Sequence, residues 1–123
     1  MHIYKADFPA KTWDYIIEVY GHLASVHPSF EPMHRFASRV KASQYSQGLF
    51  PAISMHTLLI SQTAEFDRHH ETLEINFDST SQIFRFEYWE HPVRTIKRWT
   101  KECNADEGFE AFERFLQLKK WFA

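Results

Sequence analysis

Along residues 71–78, ETLEINFD, polar and apolar side chains alternate, with Leu73, Ile75 and Phe77 pointing one way. A period of two predicts a strand with one buried face. Residues 83–91, IFRFEYWEH, alternate in the same manner. Phe84, Phe86 and Tyr88 share one side, and Ile83, Arg85, Glu87, Trp89 and His91 share the other. The polar run DSTS between them predicts the turn of an antiparallel hairpin. A four-residue loop over 78–81 pairs Ile75 with Phe84 and Leu73 with Phe86, and sets Glu74 opposite Arg85. The other register that keeps core residues together sets Glu74 against Glu87, two like charges. The charges therefore predict the first register.

Upstream the period changes to that of a helix. Trp13, Ile16, Ile17, Tyr20, Leu23 and Ala24 recur at helical spacing, with Thr12 as N-cap, Asp14 in the first turn and Pro28 as the stop. A shorter helix is expected over about 32–42, with Phe30, Met33, Phe36, Ala37 and Val40 on one side and Pro32 confined to the first turn. Residues 44–52 read as a loop with Gly48 and Pro51. Residues 53–64 read as one strand, apolar on both faces and therefore central or covered on both sides. A turn follows at 65–70, and residues 1–8 form a short strand or an arm.

Residues 93–103 fit two patterns. Ile96, Trp99 and Cys103 make a helical stripe, whereas Thr95, Trp99 and Thr100 favour a strand by propensity. We take the strand, entered through a turn at 90–92. The last element is a helix, with Asn104 and Glu107 as a capping box, Phe109, Phe112, Phe115, Leu116 and Phe122 along it, and Lys119 and Lys120 at its end. The expected fold is α+β, a single two-layer globular domain over residues 1–123. N-terminal helices precede an antiparallel meander of three to four strands, and a C-terminal helix packs on one sheet face.

Composition supports a folded chain. Hydrophobic residues make up 44% of it, well above the level of disordered proteins, and only 3 of 123 residues are glycine. The apolar content leans on rings: 12 Phe, 5 Tyr and 4 Trp. A small core cannot take all of them, so some are expected at a partner or ligand surface. The net charge of −2 is mixed along the chain and gives no reason to expect nucleic acid or an anionic membrane as partner. One cysteine precludes an internal disulfide and agrees with a reducing compartment. The start, MHIYKADFPAK, has no apolar core of a signal peptide, and no run approaches membrane-spanning length. A cytoplasmic protein is expected.

Four candidate chemistries follow from the residues. The eight histidines, at 2, 22, 27, 34, 56, 69, 70 and 91, lack the HExxH or CxxC spacing of a metal site, so they read as surface or structural groups. Cys103 lies near Lys101 and a helix start, which would favour the thiolate, but a lone cysteine ending an element reads first as a packing residue. Glu87, Trp89, Glu90 and His91 could form an acid–base or sugar site, or an ordinary sheet exterior. The stretch RTIKRWTK could bind phosphates and stack a base, but Glu90 and Glu102 bracket it. No phosphate loop, nucleophile elbow or RNA-binding signature occurs.

The expected function is a non-enzymatic protein-interaction domain, of the regulatory, inhibitory or immunity type found in bacteria, with no cofactor and no metal. Its candidate surface is Arg85, Glu87, Trp89 and His91, and its partner is another protein or a second copy in a homodimer. The alternative is a small enzyme or ligand binder with a helix–sheet pocket served by His91, Glu87 or His56.

Overall fold

The computed structural model describes residues 10–64, 71–89 and 97–121. Two helices come first, α1 (Trp13–Val26) and α2 (Glu31–Ala42). Five strands follow: β1 (Phe50–Ser54), β2 (Thr57–Ser61), β3 (Thr72–Asp78), β4 (Ile83–Trp89) and β5 (Lys97–Asn104). Helix α3 (Gly108–Leu118) closes the order. The strands pair antiparallel in sequence order, so the sheet is a meander, and the fold class is α+β as expected. The arm at 1–8, the turns at 65–70 and 90–92, Phe122, and His2, His69, His70 and His91 lie outside the described residues.

Among the described residues the strand count is five, not three to four. The excess arises where one strand was expected over 53–64. The chain reverses there at Met55 and His56, and Ser54 pairs with Thr57. Met55 takes a positive φ of 57°, which a tight two-residue hairpin turn requires. The expected loop at 44–52 is accordingly shorter: a 3₁₀ turn at Gln44–Gln47, then β1 from Phe50. Residues 97–104 form the strand that propensity favoured, ending in the expected capping box of Asn104 and Glu107.

The expected hairpin register is also corrected. Ile75 pairs with Phe86, Leu73 with Tyr88 and Phe77 with Phe84, which puts Asn76 opposite Arg85 and Glu74 opposite Glu87. The turn sets this. The Asp78 carboxylate accepts from the backbone N–H groups of Thr80 (2.9 Å) and Ser81 (3.2 Å), and those bonds hold its pKa below the usual value. The Gln82 N–H then donates to the Asp78 carbonyl at 2.7 Å, with Gln82 at a φ of 60°. Each such bond contributes about 0.5–1.5 kcal/mol, against at most about 1 kcal/mol for an exposed ion pair. The same register brings the Phe77 and Phe84 rings to 4.8 Å between centroids.

All three helices cover one face of the sheet. Ile16, Tyr20, Met33, Phe36, Phe112 and Phe115 share one buried cluster with Leu58, Ile60, Leu73, Ile75, Phe84 and Phe86. Side-chain hydrogen bonds tie the layers together. The Trp13 indole N–H donates to the Leu49 carbonyl (3.1 Å), and the Tyr20 hydroxyl to the His56 carbonyl (3.0 Å). The Tyr45 hydroxyl donates to Glu113 on α3 (2.9 Å). Gly108 opens α3 against Phe84, whose ring would lie 2.7 Å from an added Cβ. Residues larger than glycine would push the helix off the sheet there. No helix among the described residues is long and apolar enough to cross a membrane.

Candidate functional site

Strand β4 presents two different faces. Toward the helices it places Phe84, Phe86 and Tyr88, none more than 1% exposed. Away from them it places Ile83, Arg85, Glu87 and Trp89. Arg85 is exposed, and Trp89, Glu87 and Ile83 are half-buried. Three of the four residues expected to form a contact surface are thus on one face of one strand. The fourth, His91, lies outside the described residues.

Two neighbours explain why this face carries charge. Glu102 on β5 stands opposite Arg85 and accepts from its Nε at 2.8 Å, raising the pKa of the guanidinium. Glu87 lies between Glu74 on β3 and Thr100 on β5. Trp89 pairs with Thr72 on β3 and, past a bulge that follows Tyr88, with Lys97 on β5. Farther across, the same side of the sheet is covered: Leu59 and Ala52 are buried, and Ala10 packs on them. The one strand expected over 53–64, apolar and covered on both sides, is two strands; within β2, Leu58 and Ile60 are buried on the helix side and Leu59 on the other, where Ala10 packs.

The histidine and glutamate pocket has a different fate. Glu87 is on the outer face, whereas His56 sits in the β1–β2 turn with its ring edge against Phe30, 5.7 Å between centroids. Neither lines the clefts described below. Among the described residues, no three histidine, cysteine, aspartate or glutamate side chains gather to hold a metal ion. Cys103 faces the helices from β5 and packs half-buried against the core. Burial, then Glu107, raise its pKa above the opposing pull of Lys101, so the thiol form is favoured.

A cleft that the hydropathy pattern did not foretell opens between α2, the β3–β4 turn and the start of α3, with a volume of about 370 Å³. Its floor is aromatic, made by Phe36 and Phe84. Arg35 and Arg39, one helical turn apart on α2, line one wall, and Asp106 and Phe109 line the other. The Arg39 guanidinium lies over the Phe109 ring, 4.3 Å from its centroid. Phe109, expected in the core stripe of the last helix, is therefore partly a wall of this cleft. The sequence signal was the pair of arginines at i and i+4 flanking the apolar stripe of α2. A second cleft of about 290 Å³ lies between β5 and α3, bounded by Trp99, Lys101, Arg114 and the exposed Leu118.

Compared with known protein families, with curated proteins and with solved structures, the chain matches none.

Proposed function

We propose that this chain is a non-enzymatic interaction domain, of regulatory or inhibitory kind, that engages a protein partner through the outer face of β4 and β5. The observation that carries this reading is the contrast within β4. Three of its rings are sealed under helices, while a fourth large ring, Trp89, stays half-buried on the far side, in phase with Arg85 and separated from it along the strand by Glu87. Tryptophan and arginine are residue types enriched among the hot spots of protein interfaces, and both stand on this one strand face. A second copy of the chain meeting this face in a homodimer is one form of the proposal. A cytoplasmic location accompanies it, supported by the single cysteine.

The test compares wild type with Trp89→Ala and Arg85→Ala. Sedimentation reads self-association, and quantitative capture from the native host reads partner binding. A hot-spot role for Trp89 predicts loss of either by about 2 kcal/mol or more, roughly thirtyfold, with folding stability lowered by only about 1 kcal/mol. Association unchanged in both variants would sink the proposal.

A further inference from the structure

Beyond that reading, we propose that the cleft between α2 and α3 is a binding site for a small organic oxyanion with an apolar body, held by Arg35 and Arg39. Three observations converge on it. Neither guanidinium forms an ion pair with a carboxylate among the described residues. Like charges at i and i+4 disfavour a helix, so the chain bears a cost that an anion between the two side chains would remove. The Arg39 guanidinium uses its flat face on Phe109, which leaves its N–H edges free to take a carboxylate or phosphate in the paired geometry that arginine favours.

The walls are fixed before any ligand arrives. Gln82 holds its backbone at positive φ, and its side-chain amide donates to the Ser29 carbonyl (2.9 Å) and the Ser79 carbonyl (2.8 Å). That pins the β3–β4 turn to the 3₁₀ turn at Pro28–Phe30, just before α2. The floor is equally set: Phe36 and Phe84 are buried, with ring centroids 5.4 Å apart. Preorganised walls reduce the ordering cost of binding. Asp106, on the wall opposite α2, repels an oxyanion and accepts from a donor. The ligand is therefore oriented, with its oxyanion toward α2, its apolar part along the aromatic lining, where the half-buried Phe109 offers most of the open ring surface, and any hydroxyl or amino group toward Asp106. A volume of about 370 Å³ fits a metabolite-sized molecule.

The probes are benzoate, phenyl phosphate and inorganic phosphate, titrated into the nitrogen-15-labelled full chain and followed by amide chemical shifts. Saturable shifts at residues 35–39, 82–84 and 105–109 below about 10 mM are expected for benzoate or phenyl phosphate. The stronger of the two identifies the head group as carboxylate or phosphate ester. Arg35→Gln and Arg39→Gln should each weaken binding about tenfold or more. Both arginines are exposed, so both variants should fold, which thermal melts verify. Arg35→Lys should also weaken it, because lysine lacks the planar fork. Inorganic phosphate binding as tightly as phenyl phosphate would overturn the role of the aromatic floor. Shifts that fail to saturate with every probe, or that persist in the glutamine variants, would overturn the site.

Discussion

Arg85 and Glu102 face each other across β4 and β5, and the Arg85 Nε donates to the Glu102 carboxylate at 2.8 Å. The pair is open to solvent, with side chains 50% and 55% exposed. Water and salt screen such a contact, and ordering two long side chains opposes it. A double-mutant cycle with Arg85→Ala and Glu102→Ala should give a coupling below about 1 kcal/mol, shrinking further in high salt. A coupling of about 2 kcal/mol or more would mean that something covers the pair in solution.

That contact also shows what the sequence could and could not reveal. The alternation of Leu73, Ile75 and Phe77, and of Phe84, Phe86 and Tyr88, was enough to assign two strands and their inner faces, because burial is decided residue by residue. Register was not, because it depends on which partner wins. Arg85 had Glu74 as a candidate on one side and Glu102 on the other; the turn built on Asp78 outweighed the first, and Arg85 pairs with the second. The Met55–His56 reversal was hidden for a related reason: neither residue announces a turn, yet Met55 adopts the positive φ. At the candidate surface, Trp89 and Arg85 were legible from one strand's periodicity. The α2–α3 cleft was not, since it joins residues 35–39, 82–84 and 105–109, which only tertiary packing brings together.

Phe112 is fully buried, with its ring 5.5 Å from that of Phe36 and 6.2 Å from that of Tyr45. It belongs to the same buried cluster as Ile75, Phe84 and Phe86. Phe112→Ala removes those contacts and leaves a cavity that close-packed neighbours fill only in part. The expected loss is about 3–5 kcal/mol in urea unfolding, a large share of a small protein's stability. A loss below about 1 kcal/mol would show that this side of α3 does not anchor the core.

Helix α3 ends in a capped turn that uses a lysine where glycine is usual. Lys120 has a φ of 55°, its N–H donates to the Gln117 carbonyl, and the Trp121 N–H donates back to the Leu116 carbonyl at 3.0 Å. This is the Schellman arrangement, whose left-handed residue is most often glycine. A non-glycine residue in that region costs roughly 1–2 kcal/mol, offset in part by the extra chain entropy of a glycine in the unfolded state. Lys120→Gly should therefore stabilise the protein, by about 0.5–1 kcal/mol, raising its thermal midpoint. A fall in the midpoint would show that the Lys120 side chain contributes more than the strain it imposes.

Tyr20 makes alkaline stability a readout of packing between α1 and the β1–β2 turn. Its ring is fully buried and its hydroxyl donates to the His56 carbonyl at 3.0 Å. Burial raises its pKa far above that of a free tyrosine. The folded state therefore holds this proton more tightly than the unfolded state does. The stabilisation is complete below the unfolded value, near pH 10, and is lost as pH rises from there toward the folded value. One proton taken up on folding gives a slope of about 1.4 kcal/mol per pH unit in that window. Urea midpoints measured above about pH 10 should fall with this slope, while tyrosinate absorbance shows at least one of the five tyrosines ionising only as the chain unfolds. Cys103 and Tyr45 are also shifted upward and add slopes of the same sign, so the slope of a Tyr20→Phe variant should shrink without vanishing. Near neutral pH that variant should lose about 0.5–1.5 kcal/mol, because the His56 carbonyl gives up its donor. An unchanged alkaline slope in Tyr20→Phe would mean that the hydroxyl reaches water, and that α1 does not seal this end of the sheet.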